Sequence, residues 1–544
     1  MCGAVSKLPT SPSMRHYGRV LGLELVVVLG VTILLCSVAA QRLRITPPVL
    51  LLIAGALLGF IPSLRGVSLP PEAMLLLFLP ALLYWESLTT SLREIRSNLR
   101  TIVLMSTVLV IATAASVAAV AHALGLPWGP AWVLGAAVAP TDATAVGVIA
   151  RALPRRLVTS LRAESLVNDG TALVIYGLAV GVTVGEQHIS PGMVAWLSVL
   201  AYVGGAAAGL ATAWLAVQAR RHLDNPFHEN VVSLLTPFLA FLLAELINAS
   251  GVLAVVVCGL TLSQVGPRIV RAETRQQSSA FWGLSTFLLN SALFVLIGLQ
   301  VQASLRGLTT TIWTALGMVG LISAAVMGTR FLWLFTTPYI VRAVDRRPQQ
   351  RLRRVGARTR VVSAMAGFRG AVSLAAALAV PQTINSGEAF PARDTIIFVT
   401  SGVVVVTLVV QGLLLPVVVR WARIDPDTQV EAEHRMAQVT ATEEAFAALP
   451  ELATQLGISG AVVERLRHEY DKRLRKLHSD GDDGVRLRRV HDEDAALRLA
   501  VIAHKRATVV RLRDEQRIDD TVLRQLQASL DLEEVRLSGR QIAD

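Results

Sequence analysis

Apolar runs near or above 18 residues recur from about residue 21 to residue 420 and then stop. Roughly 20 such residues carry a helix across a hydrocarbon core. Backbone polar groups in lipid must be satisfied within the segment, so runs of this number and length predict helices. Thirteen spans are predicted, at about 21–40, 47–63, 70–89, 101–123, 129–150, 157–184, 192–218, 229–248, 250–265, 280–302, 311–340, 361–382 and 394–420. Beyond Trp421 the apolar positions recur three or four apart, as at Val462, Leu466, Tyr470, Leu474 and Leu477, which predicts amphipathic helices. Asp480–Gly484 reads as a turn between two of them. The chain divides into a polar tail (1–20), a transmembrane domain (21–420) and a helical C-terminal domain (421–544).

Two spans are poorly made as plain helices. The fifth holds Pro140 in Ala139–Thr144, where proline removes a backbone donor and clashes with the carbonyl near Ala136. The twelfth holds Arg369 between Gly367 and Gly370. Freed carbonyls at membrane depth are tolerated where they line a cavity or meet a partner. Interrupted helices in both halves of a chain point to a transporter site between inverted repeats.

Charge sets the orientation. Residues 1–420 hold 31 Lys+Arg against 15 Asp+Glu, and residues 421–544 hold 20 against 24. The formal net charge of +12 therefore belongs to the membrane half, where arginines lie between spans. That placement fits membrane orientation better than nucleic-acid binding. Alternate connections carry 21 arginines, eight of them in 342–360, and the intervening ones hold Arg65, Arg306 and Arg393. The positive-inside rule puts the arginine-rich set and the C-terminal domain in the cytoplasm and the N-terminus outside. The run at 342–360 also suits lipid headgroups. Cys2, Cys36 and Cys258 have neither metal-ligand nor disulfide-framework spacing, and no cofactor motif is present.

The chemistry concentrates in Arg162–Thr171 of the sixth span. An ionised carboxylate at mid-membrane depth costs on the order of 2.5–3.5 kcal/mol, so Glu164 and Asp169 ask for a functional reason. They are five residues apart, about 140° around a helix, and face different partners. Asp169 stacks with Ser165, and Glu164 with Asn168. Glu24, Glu86, Asp142 and Glu245 are the other span acids. Glu24 and Glu245 lie near span ends and read as snorkelling or packing residues, and Asp142 suits the end of a broken helix. Arg369 requires a carboxylate partner, with Glu164 the better candidate if Asp169 is to exchange ions. Asp169, Ser165 and carbonyls near Thr141 would offer a hard monovalent cation oxygens and one negative charge. Removal from water favours the protonated carboxylate. A single carboxylate holding either a proton or a cation, never both, couples the two fluxes.

Thr141–Asp142, Glu164–Asp169, Leu79–Glu86, Ser250–Gly259, Phe294–Gln300 and Gly367–Leu374 together resemble the monovalent cation:proton antiporter-1 family, the sodium/proton exchangers. Met365 departs from the tryptophan of many members. The resemblance implies an all-α polytopic membrane protein with about thirteen transmembrane helices in two inverted repeats and broken crossing helices. It implies Asp169 as the carboxylate binding cation and proton, with Asn168, Ser165, Thr141, Asp142 and Glu86 contributing to the site. Na+ is expected at Asp169, Ser165 and Thr141. Asn168 stands where electrogenic relatives have a second aspartate, which implies electroneutral exchange. Glu164 and Arg369 match a structural ion pair. A homodimer and elevator-like motion of the core are expected, in the plasma (inner) membrane, with no cofactor or nucleic acid. Li+ and K+ remain candidate substrates beside Na+, and a K+/H+ antiporter is the nearest rival. A cation or proton channel and an ion-sensing receptor are further rivals. The C-terminal domain reads as regulatory, with no motif naming its ligand.

Overall fold

The computed structural model of the chain describes residues 12–43, 46–62, 74–143, 153–185, 191–306, 311–344, 356–424, 428–478, 482–517 and 519–538. The second limb expected after the break in the fifth span (144–152), most of the arginine run (345–355), and the connections at 64–69 and 186–190 lie outside these residues. Among the described residues the chain is almost wholly helical, and the one extended pairing is an isolated antiparallel bridge between Thr383 and Ala389. The chain forms two compact units, Met1–Pro426 and Asp427–Asp544.

The first unit begins with α1 (Pro12–Leu43), α2 (Pro47–Leu58) and α3 (Leu79–Thr89). It continues with α4 (Leu92–Val103), α5 (Leu109–Ala123), α6 (Trp128–Val138), α7 (Arg155–Val184), α8 (Pro191–Val199) and α9 (Gly205–Arg221). Then come α10 (Pro226–Leu246), α11 (Gly251–Ile269), α12 (Ala272–Arg306), α13 (Ile312–Val344), α14 (Ala357–Met365), α15 (Ala371–Leu378), α16 (Arg393–Val406) and α17 (Gly412–Ala422). Among the described residues nine helices are long and apolar enough to cross a membrane. Pro47–Leu58, Leu76–Thr89 and Trp128–Val138 are shorter apolar helices, and α14 and α15 are two short limbs either side of a break. Glu24 lies within α1 and is exposed.

Helix ends follow local chemistry. Pro154 precedes α7, and Gly185, at φ +88°, ends it in the left-handed region that glycine adopts without strain. Asn225 Oδ1 accepts from the Phe227 N–H at 2.9 Å to start α10, and Ser250 Oγ accepts from the Leu253 N–H at 3.2 Å to start α11.

With lipid outside, apolar area alone does not draw helices together, and small residues allow close backbone approach. A Cβ on Gly298 of α12 would lie 2.2 Å from the Leu52 carbonyl oxygen of α2, and one on Gly55 would lie 2.1 Å from that of Val295. Gly259 of α11 brings α3 close in the same way, with a Cβ there falling 2.6 Å from the Ser87 Cβ. Two of the sequence motifs, Phe294–Gln300 and Ser250–Gly259, thus sit at helix contacts. These contacts bring α2 close to α12 and α3 close to α11.

The second unit contains α18 (Thr428–Leu456), α19 (Gly460–His478), α20 (Asp482–Asp514) and α21 (Asp520–Ser538). Residues 482–484 of the expected turn belong to α20, and 480–481 lie outside the described residues. Arg506 of α20 bridges Asp531 and Glu534 of α21, each at 2.6 Å.

Candidate ion site

The two interrupted spans meet at their breaks. α6 stops at Val138, just before Pro140, and the chain runs non-helically through Ala139–Ala143. α14 stops at Met365 and α15 restarts at Ala371, with Gly367–Gly370 non-helical between them. The Asp142 N–H donates to the Phe368 carbonyl at 2.8 Å, tying one break to the other. That bond satisfies two backbone groups that neither helix could use.

Each break also compensates the other's helix end. The Arg369 Nε donates to the Val138 carbonyl at 3.1 Å, placing a cation at the negative C-terminal end of α6. The Asp142 carboxylate lies against Gly370 at the positive N-terminal end of α15, where a Cβ on Gly370 would fall 1.7 Å from Asp142 Oδ2. Gly367 serves the same purpose for a second arginine, since a Cβ there would lie 2.5 Å from the Arg330 Cδ.

That second arginine corrects an expectation. Glu164 does not form its ion pair with Arg369. Arg330 of α13 takes it, through Arg330 Nη1 to Glu164 Oε1 and through Nη2 to Oε2 at 3.2 Å. Arg330 Nε donates to the Ser363 carbonyl at 3.2 Å. Arg369, 1% exposed, donates to the carbonyls of Val138 and Gly367, and its N–H donates to Thr407 Oγ1 at 3.3 Å. The physical reason is that the breaks free carbonyls, and Arg369 sits at their crossing. Glu164, on the far face of α7, is reached instead by the long side chain of α13. Arg369 lies beside that pair, since Arg330 packs on Gly367 and Arg369 donates to the Gly367 carbonyl. A lone arginine midway along an apolar span was the available signal for Arg330.

Asp169 faces another way. It lines a cavity of about 40 Å³, room for two or three water-sized particles, together with Glu86, Thr141, Asp142, Ser165, Asn290 and Ser373. Leu79, Leu82, Leu83 and Glu86, spaced along one face of α3, form one wall. Asp169, Glu86 and Asp142 all line it, so three carboxylates share this small space. Such a site attracts a cation or a proton and repels anions. Ser165 Oγ accepts from the Ala143 N–H at 3.2 Å, fixing the non-helical segment to α7.

Asn168 does not line the cavity. Its Nδ2 donates to Thr141 Oγ1 at 2.7 Å, and that hydroxyl donates on to Glu164 Oε1 at 3.4 Å. Asn168 therefore links the ion-pair cluster to the Thr141 segment. Asn290 and Ser373 line the cavity without having been singled out in the sequence.

The description "Sodium/hydrogen exchanger, transmembrane" matches residues 28–421. This chain belongs to the sodium/hydrogen exchanger family. An exchanger of Mycobacterium tuberculosis (strain H37Rv), described as an uncharacterized Na(+)/H(+) exchanger, is 46% identical over 529 residues, covering 96% of this chain and 97% of that one. A Bacillus pumilus protein, the sodium, potassium, lithium and rubidium/H(+) antiporter, is 27% identical, covering 92% of this chain and 76% of its own. Among solved structures, the sodium proton antiporter MjNhaP1 from Methanocaldococcus jannaschii shares the fold with a TM-score of 0.55 at 20% identity, over 73% of this chain and 98% of that one. The exchanger is thus an all-α, multi-pass membrane protein and a secondary-active antiporter of protons against Na+ or a related monovalent cation, not an enzyme.

Proposed function

We propose that protons and Na+ occupy Asp169 in turn, and that this competition couples their fluxes. The cavity carries the reading: it brings Asp169, Ser165, Thr141, Asp142 and Glu86 together where the two broken spans cross. Na+ sits there against the Asp169 carboxylate, the Ser165 hydroxyl and a Thr141 oxygen. Its positive charge replaces the proton that the carboxylate otherwise carries. Asn168 is a neutral amide engaged with Thr141, which supports one proton per Na+ and electroneutral exchange. Asp142 serves both the cavity's field and the N-terminal end of α15. Glu86 adds charge from the facing wall.

Around this site we place thirteen crossings in two inverted repeats, with the exchanger working as a homodimer through elevator-like motion of the core. The N-terminus lies outside and the C-terminus in the cytoplasm. Arg358 over the Trp421 ring (5.7 Å) and Arg360 over the Tyr339 ring (5.9 Å) support headgroup level at the arginine-rich end, where aromatic and basic side chains gather. Residues 421–544 then form a cytoplasmic regulatory domain.

The broad substrate range in the name of the Bacillus pumilus relative favours one second reading, K+/H+ antiport on the same scaffold. The two separate by dequenching of a pH-sensitive dye in proteoliposomes, with the membrane potential clamped and Na+, Li+ and K+ added separately. Na+ and Li+ responses without one to K+ are expected. A K+ response equal to that of Na+ moves the exchanger to K+/H+ antiport, and a response that tracks the imposed potential overturns electroneutrality.

A further inference from the structure

We propose that Ser373 is a cation ligand, that its hydroxyl sets the affinity for Na+ and the preference over K+, and that Asn290 supplies a polar group from the unbroken helix beside it. This rests on the reading that the Asp169 cavity is the ion site. Two independent observations carry it. Ser373 lines the cavity, and its Oγ is buried with no hydrogen-bond partner. Among the described residues it is the one cavity-lining hydroxyl in that condition.

Serine and threonine hydroxyls in membrane helices usually satisfy themselves on the carbonyl one turn back. Many do so here, although Ser106, Ser323 and Thr400, away from the cavity, are also buried without a partner. Ser87 donates to Leu83 at 2.6 Å, Thr113 to Leu109 at 2.8 Å, Thr212 to Ala208 at 2.8 Å and Ser401 to Ile397 at 2.7 Å. Ser373 has no such acceptor because it is the third residue of α15. The carbonyl four residues back is that of Arg369, in the non-helical break. The interruption therefore does more than free backbone groups, because it withholds the ordinary acceptor from a hydroxyl beside the bound ion.

The other hydroxyls at the cavity are engaged. Ser165 Oγ accepts from Ala143, and Thr141 Oγ1 accepts from Asn168 while donating to Glu164. A hard cation takes several oxygens. The Asp169 carboxylate and two partly committed hydroxyls leave that shell short, and Ser373 offers the uncommitted hydroxyl. It approaches from α15, whereas Asp169 and Ser165 approach from α7, so the ion is held between two helices. Asn290 comes from α12, the helix that packs on α2 through Gly298 and Gly55. A close hydroxyl on a rigid helix start favours the smaller ion, because the shorter cation–oxygen distance of Na+ strengthens its contact with each ligand.

The test compares Ser373→Ala with the parent exchanger in proteoliposomes, titrating Na+ and K+ against the dye signal. Stabilisation of the purified protein by Na+ on heating gives a readout independent of transport. Ser373→Ala is expected to raise half-saturating Na+ roughly tenfold, the loss of one good ligand contact. The midpoint of Na+ stabilisation shifts equally, and the Na+-over-K+ preference narrows. Ser373→Thr and Ser373→Val form a near-isosteric pair that separates hydroxyl from size. Thr keeps the parent affinity and Val loses it. Unchanged half-saturation in Ser373→Ala, or equal values for the Thr and Val variants, overturns the proposal. With Asp169→Asn inactive in the same assay, such a result removes Ser373 alone. Coupled exchange retained by Asp169→Asn removes the underlying site instead.

Discussion

The most informative perturbation lies beside the ion cavity, in the pair that sequence reasoning assigned differently. Glu164 is 4% exposed and Arg330 2%, and the contact is two-pronged. Removing one member leaves the other charged in a low-dielectric interior, which costs about 3–5 kcal/mol. Replacing both by apolar groups of similar volume removes that orphaned charge, and such replacements are often close to neutral. Arg330→Met and Glu164→Leu are therefore each expected to cost about 3–5 kcal/mol. The double variant costs much less than their sum, with a coupling of at least about 2 kcal/mol. The same cycle built on Glu164 and Arg369→Met gives a coupling below about 1 kcal/mol, because the Arg369 side chain donates to the Val138 and Gly367 carbonyls. The assay is reversible unfolding by SDS titration in mixed micelles, with size-exclusion profiles confirming the folded starting state. A larger coupling for Arg369 than for Arg330 refutes the assignment. Additivity in both cycles refutes the claim that Glu164 is paired at all.

Glycines and a helix cap give three further tests. Gly370→Ala places a methyl where the Asp142 carboxylate lies, and it is expected to cost about 1–3 kcal/mol and to abolish the dye response; a normal response shows that the Asp142 position is unimportant. Gly298→Ala drives a methyl into the Leu52 carbonyl and is expected to lower folded yield sharply, whereas Gly283→Ala on the same helix, with nothing within 4 Å, leaves it unchanged. Equal yields contradict the close α2–α12 contact. Ser250→Ala removes the cap of α11 and is expected to cost about 1 kcal/mol in the SDS titration, against no change if the cap is idle.

The helices were legible because a bilayer imposes length and apolarity that a sequence shows directly. The breaks were legible because Pro140 and the Gly367–Gly370 stretch cannot continue a helix cheaply. The convergence of Asp169, Ser165 and Thr141 followed from the same logic, since a carboxylate in lipid needs a cavity, whereas Glu86 and Asp142 entered the site through the resemblance to the family. Arg330 escaped notice because the apolar run around it, 311–340, reads as an ordinary span. Which of two buried arginines meets Glu164 depends on how α7, α13 and the breaks pack, and spacing along one helix does not contain that. Ser373 was invisible for another reason. A serine in an apolar helix ordinarily bonds to its own backbone, and only the position of the helix start shows that it does not.

Exchange rests on one carboxylate, Asp169, alternately holding proton and cation in the proposed mechanism. The direct measurement is Na+-induced pH change in proteoliposomes with the membrane potential clamped, for the parent exchanger and for Asp169→Asn, with folded protein verified by size exclusion. A Na+-dependent, potential-insensitive response is expected in the parent and none in Asp169→Asn. Coupled exchange by folded Asp169→Asn at the parent rate contradicts it.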